Sequence, residues 1–207
     1  MADGTAERGY HHGDLRRALL DTVGTIVQEG GLDALSLREC ARRAGVSPGA
    51  PAHHFGDKRG LLTEFALEGL GALRADVQHE LGRAGSAHDA VRAIGLAYIR
   101  TALSHPAHFR VMFRRELLNA EDGRLEAGSV FALLKDRIAD LDRERGLEPR
   151  QVEERAFFAW STVHGFVNLL LDASSNPHVA YDGDPAAGLA RAEGVLEQVM
   201  SALLAEA

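Results

Sequence analysis

Residues 35–58 read Leu35-Ser36-Leu37-Arg38-Glu39-Cys40-Ala41-Arg42-Arg43-Ala44-Gly45-Val46-Ser47-Pro48-Gly49-Ala50-Pro51-Ala52-His53-His54-Phe55-Gly56-Asp57-Lys58. Ser36 with Glu39 three residues on is a capping box and predicts a helix start. Leu35 and Cys40 occupy the flanking staple positions, so Cys40 reads as a small core residue rather than a reactive thiol. Gly45 ends this helix, because glycine adopts positive φ without steric cost. Ser47 is a plausible cap for a second helix, with Pro48 at the first helical position, where its missing N–H costs little. That helix is short, 47–55, and stops at Gly56. A helix, a sharp turn and a short helix make a helix-turn-helix. Ala41 lets the two helices approach, and Val46 fills the angle between them.

Working outward, Leu15, Ala18, Leu19, Thr22, Val23, Ile26 and Val27 form one helical stripe. Asp14 is placed to cap it, and Gly30-Gly31 to stop it. Asp57 can cap a long fourth helix with Leu61, Leu62, Phe65, Leu70, Leu73 and Val77 on its apolar face. Helices are expected at 87–104, 106–118, 124–145, 149–173 and 186–205. The breaks fall at Gly85-Ser86, Pro106, Asp122-Gly123, Gly146 with Pro149, and Ser174-Ser175-Asn176-Pro177. Nothing alternates with period two over a useful length. The reading is an all-α protein with a small domain, 1–60, and a larger helical domain, 61–207.

Composition narrows the function. One cysteine in 207 residues excludes an intramolecular disulfide and a cysteine-based zinc site. No apolar run reaches the 18 residues or so of a membrane span, and residues 1–10 carry no signal-like apolar stretch. The expected location is therefore the cytoplasm, without membrane contact. The net charge of −7 disfavours a wholly basic nucleic-acid binder. Residues 36–59, however, carry five basic side chains against two acidic ones, while the acidic excess lies beyond residue 60. No P-loop, GxSxG, HExxH or dinucleotide fingerprint occurs, so no enzyme activity and no cofactor are expected. His105 and His108 lie at i, i+3 with Pro106 between them and no adjacent carboxylate pair, so no metal site is expected.

A helix-turn-helix places its second helix in the major groove of double-stranded DNA. Here that helix offers Ser47, Pro48, Gly49, Ala50, Ala52, His53 and His54, a head poor in donors. Arg38 is then the better base-edge candidate. Arg42 and Arg43 read as phosphate partners, as does Lys58 at the start of the fourth helix.

These residues carry a resemblance. Residues 15–62 resemble the DNA-binding domain of the TetR family of bacterial transcriptional regulators. The likeness rests on Gly30-Gly31, Leu35 to Glu39, Ala41 to Ser47, and Gly49 to Lys58. Length and helix count fit as well. The resemblance implies that the short third helix reads the groove and that Lys58 touches phosphate. This chain departs from the family in having Ala52 where an aromatic, most often Tyr, supplies a phosphate-binding hydroxyl. It further implies a second domain that binds a small-molecule effector and dimerises.

In the second domain, Trp160-Ser161-Thr162-Val163-His164-Gly165 is similar to the Trp…His-Gly signature of one TetR subfamily. Trp160 and His164 share a helix face, and Asn168 continues it. Phe109, Met112, Phe113 and Phe131 are the candidate walls of an apolar pocket around them. Ordinary bundle packing accounts for the same pattern. Arg110, Arg114 and Arg115 read as surface charge or as an anion site. Leu189, Ala192, Val195, Leu196, Val199, Met200 and Leu203 form a stripe on the last helix. With the 149–173 helix, that helix (186–205) is expected to pair two protomers into a homodimer, the same pair that the resemblance points to. The resulting expectation is a repressor of a pseudo-palindromic operator, released by an apolar or amphipathic effector. An activator, or a small-molecule-binding protein with weakened or lost DNA contacts, stands beside it. Ala52 motivates the second of these.

Overall fold

The structure is a computed structural model and describes residues 12–172, 179 and 181–205, with side chains from Leu15 onward. Nine α-helices and no strand occur among these residues. They are α1 (His12–Gly30), α2 (Leu37–Ala44), α3 (Ala50–Phe55), α4 (Lys58–Leu81), α5 (Ala87–Ser104), α6 (Pro106–Met112), α7 (Val130–Glu144), α8 (Val152–Leu171) and α9 (Pro185–Ala205). The chain is all-α, as the periodicity requires.

Most boundaries follow the predicted chemistry. Ser36 Oγ accepts the Glu39 N–H at 3.1 Å, and Gly45 ends α2 at φ 68°. Asp57 caps α4 by accepting the Gly60 N–H at 2.8 Å. α1 already runs from His12, two residues before its expected cap; the Asp14 side chain lies outside the described residues, as does Ser174 to Pro177. Asp184, unanticipated, caps α9 through the Ala186 and Ala187 amides.

Several boundaries differ; α8, expected over 149–173, runs from Val152 to Leu171 behind Gln151 at φ 43°. α3 starts at Ala50, not at 47. A helix begun at Pro48 needs a Pro51 N–H to reach the Ser47 carbonyl, and proline has none. Ser47 instead closes a turn with the Ala50 N–H (3.0 Å), and the first helical bond joins His53 to Gly49. α6 stops at Met112 rather than 118. Leu118 is buried without exposure, its carbonyl accepts from Arg59 Nη1 (2.7 Å), and the Asn119 N–H donates to Thr63 Oγ1 (2.9 Å). This docking on α4 overrides local helicity. α7 starts at Val130 rather than 124, because Asp122 caps a separate 3-10 turn, Gly123–Leu125, and Gly128 turns the chain at φ 65°.

One apolar core runs through the molecule. Leu19, Leu20, Val23, Ile26, Leu35 and Cys40 pack on Leu61, Leu62 and Phe65 of α4. Cys40 is inaccessible, and burial pushes its thiol up to about 11. Farther along, α4 packs on α5 and α6, while α5, α7, α8 and α9 form a bundle. That bundle is clamped by a buried ion pair: Arg155 Nη1 meets both Asp142 oxygens at 2.9 and 2.7 Å, and Nη2 reaches the Leu203 carbonyl at 2.7 Å.

The α3–α4 corner is tight. A Cβ on Gly60 would lie 2.0 Å from the Phe55 carbonyl oxygen. Gly60→Ala is therefore expected to force the corner open and cost about 1–3 kcal/mol. Thermal denaturation checks the loss, and an unchanged Tm would refute it.

Candidate nucleic-acid interface and effector cleft

The corner between α2 and α3 presents the predicted reading head. Ser47, Pro48, Gly49, Ala52 and His53 are exposed, and Ala50 and His54 half-buried. Pro51 and Phe55 face the core and hold the helix on it. His53 and His54 stand edge to face, ring centroids 5.5 Å apart. Arg38 is exposed and makes no ion pair among the described residues, which leaves its guanidinium available to a base edge or phosphate. Lys58 Nζ lies 3.5 Å from the Leu32 carbonyl, in the 3-10 turn Leu32–Ala34.

Arg42 and Arg43 are not idle. Glu39 accepts from Arg42 Nε (2.8 Å) and Nη2 (2.7 Å) and from Arg43 Nε (2.7 Å). These bonds, Arg42's first, pull the Glu39 carboxyl down to about 2. Arg43 also pairs with Glu29. Glu39 therefore competes with a phosphate for both arginines, while Arg42 Nη1 and Arg43 Nη2 keep donors that it does not use.

The predicted effector residues divide. Phe109, Phe113, His164 and Asn168 line an open cleft of about 810 Å³, with Arg110, Arg114 and Asp172 around it and Leu32 and Asp33 of the first domain on its wall. Trp160 lines a different space, an apolar cavity of about 30 Å³ with Val91, Ile94, Leu134 and Val163. Phe131 packs edge-on against Trp160 (5.7 Å) without lining either. Met112 faces away: it packs at Gly69 of α4, where an added Cβ would sit 3.3 Å from its sulfur. Arg110 Nη2 donates to the Leu171 carbonyl (2.9 Å), and Arg115 pairs with Glu126 at 2.7 Å.

Between the two spaces lies Tyr98, which sequence reasoning missed. Its hydroxyl sits 2.7 Å from His164 Nδ1. Burial drives the Tyr98 pKa far up and lowers that of His164, so both stay neutral. The available signal was its place at i+7 from Val91 on the buried face of α5. A second missed group joins the domains. His108 on α6 stacks on Phe65 of α4 (3.9 Å), and its Nε2 lies 3.6 Å from Glu68 Oε2. Glu68 in turn pairs with Arg17 of α1 at 3.0 Å. No cluster of three or more metal-ligating side chains occurs among the described residues, and no helix there is long and apolar enough to cross a membrane.

This arrangement, a helix-turn-helix on a helical domain with an open cleft, defines a class of ligand-binding transcriptional regulators. Comparison with known proteins places the chain within it. Residues 24–65 match the model for bacterial regulatory proteins of the tetR family, and residues 91–201 match that for the tetracyclin repressor-like C-terminal domain. The chain belongs to the TetR family of transcriptional regulators. It is 37% identical over 155 residues to the HTH-type transcriptional regulator BetI of Escherichia coli K12, covering 72% of this chain and 78% of that protein. With BetI of Rhizobium meliloti it shares 35% over 79 residues, only 39% of that relative's length. A Rhodococcus structure described as a protein of unknown function aligns over 93% of this chain and 98% of its own, with TM-score 0.71 and 28% identity. FadR of Bacillus subtilis, solved with stearoyl-CoA, shares the fold at TM-score 0.72 and 16% identity, over 89% and 97% of the chains.

The Glu39 clamp yields a test. Glu39→Gln should free Arg42 and Arg43, tighten DNA binding and steepen the salt dependence of log K by about 1–2. Fluorescence anisotropy across a salt series measures it, and an unchanged slope would show that Glu39 does not compete with phosphate for these arginines.

Proposed function

We propose that the chain is a homodimeric repressor whose effector weakens its grip on a pseudo-palindromic operator. The observation that carries this reading is the exposed head, Ser47 to Gly49 with Ala52 and His53, and Arg38 and Lys58 beside it, at the root of α4, which continues into the second domain. The chain divides at residue 60, with the head in 1–60 and the effector and dimer surfaces in 61–207. Each protomer lays α3 in a major groove, with half-sites roughly 34 Å apart. Arg38 reads a base edge, Lys58 and the α4 N-terminus take phosphate, and His53 and His54 supply the contacts that Ala52 does not. Arg42 joins through the Nη1 donors that Glu39 leaves it, and more fully when Glu39 yields. The protein works on DNA in the cytoplasm, not as an enzyme.

Dimerisation is assigned to α8 and α9. Phe157 and Phe158 are 65% and 45% exposed, and Leu169 is 50% exposed. Phe158, Thr162, Gly165 and Leu169 fall on one face of α8. A Cβ on Gly165 or Gly194 would touch nothing within 4 Å, so both helices leave room for close approach. A twofold pairing that buries this stripe is the economical way to cover it.

The effector occupies the cleft at Phe109, Phe113, His164 and Asn168, with Trp160 and Phe131 behind. It is apolar or amphipathic. α6 turns Phe109 to the cleft, with Phe113 just past its C-terminal end, and sets His108 and Met112 on the face against α4. A ligand that shifts α6 therefore shifts α4 and, through Lys58, the spacing of the two heads. Linkage requires that effector and operator weaken each other by the same factor.

The deciding experiment is recovery of genomic fragments by the purified protein at near-physiological salt, followed by sequencing. One enriched pseudo-palindrome is expected, lost selectively in Arg38→Ala. Uniform, salt-labile recovery would instead favour decayed DNA contacts, which Ala52 makes the second reading. Phe157→Asp combined with Phe158→Asp should give a folded monomer in analytical ultracentrifugation; a dimer would displace α8 from the interface.

A further inference from the structure

The open cleft and the small apolar cavity lie on two sides of one aromatic layer. Tyr98 and Trp160 line the cavity, while Phe109, Phe113 and His164 line the cleft. The rings meet directly: Tyr98–Trp160 at 5.1 Å, Tyr98–Phe109 at 5.6 Å, Phe113–Trp160 at 5.8 Å and Phe113–His164 at 4.9 Å. One polar bond crosses the layer, between Tyr98 and His164. The tautomer of His164 sets which partner donates in this bond; when the Tyr98 hydroxyl donates to Nδ1, the ring proton sits on Nε2 and can be given to a ligand.

Neither space alone suits an amphipath. The cavity, about 30 Å³, is close to one water's share of liquid volume, whereas ligand pockets hold roughly 300–1,000 Å³. Its walls are nevertheless those of a tail site: Val91, Ile94, Leu134 and Val163, all buried. The cleft has the volume, but Arg110, Arg114, Asp33, Glu116 and Asp172 give it a charged rim. Asn168 gives one Nδ2 hydrogen to the His164 carbonyl (2.8 Å), which leaves its second N–H to donate and its oxygen to accept. Arg110 retains donors beyond the one it gives to Leu171.

We propose that the Tyr98–His164 bond is an internal latch that joins these two spaces into one site for an amphipath with an oxygen-rich head and an unbranched apolar tail. The head sits in the cleft against His164 and Arg110. The tail passes between Phe113 and Trp160 once the latch parts, and spreads Val91, Ile94, Leu134 and Val163 as it enters. Molecules that lack the tail fill the cleft and leave the layer closed. The latch thus makes tail length the selected property. This deepens the effector reading above and rests on it.

The test uses the full chain and two probes, hexanoate and tetradecanoate, titrated by calorimetry. Tetradecanoate is expected to bind about a hundredfold more tightly or better, because eight further methylenes leave water. Ala159→Leu adds carbon to the cavity wall and touches nothing in the cleft. It should abolish the chain-length difference while leaving hexanoate affinity within about twofold. Val163→Ile fills the cavity with a single carbon and serves if the larger side chain perturbs folding, which the melting curve reports. Tyr98→Phe removes the latch and should tighten tetradecanoate binding about threefold or more. Equal affinity for both probes, or tetradecanoate binding as tight in the filled variants as in wild type, overturns the latch. Release of operator DNA is read in parallel. Release by amphipaths regardless of tail length overturns the latch and leaves the effector reading intact, whereas no release by any of them overturns both.

Discussion

Everything in this molecule hangs on α4 being buried from both ends. Leu61, Leu62, Phe65 and Ala66 complete the core beneath α1, α2 and α3, and Leu73 and Val77 belong to the core of the helical bundle. The two cores are therefore one, joined by a rod of 24 residues, about 36 Å long. A rod fixed at both ends cannot absorb a displacement in its middle, and its middle is where α6 presses. Gly69 lets His108 and Met112 come so close that any Cβ there would sit 2.8 Å from His108. Close packing of this kind transmits a shift instead of damping it.

Much of this architecture is legible in the sequence because its signals are local. The Ser36 cap, the Gly45 turn and the Asp57 cap each depend on residues within three or four positions, and all three are present. The α6 boundary differs because distant groups intervene. The end of α6 depends on Arg59 and Thr63, more than fifty residues away, which draw Leu118 and Asn119 out of helical register. The late start of α3 was readable: Pro51 carries no N–H, and counting four residues back from it excludes Pro48 as a helix start.

The candidate effector residues are legible as types but not as partners. Aromatic and His spacing identifies α6 and α8 as the helices with polar-tipped, apolar faces. Spacing within one helix is silent on which side of a packed layer each ring falls. So Phe113 and Trp160, expected in one pocket, look into two spaces, and Met112, on the same short helix as Phe109, turns to α4. Tyr98 carries no motif at all. Its importance comes from contacts to α6 and α8 that only folding creates. On the DNA side, the charge count alone overstates the basic surface, because Glu39 holds two of its arginines.

The burial of Cys40 has a practical corollary. It is the only cysteine of the chain, it is inaccessible, and its thiol stays protonated at neutral pH. The wild-type protein is consequently silent toward thiol-directed labels while folded. A single cysteine introduced on an exposed position such as His53 becomes the only reactive one in the chain, and the proposed twofold dimer would carry two spin labels at symmetry-related points on its two α3 helices. The molecule comes with a built-in blank for measuring how far apart those heads stand, with and without a bound small molecule, in solution.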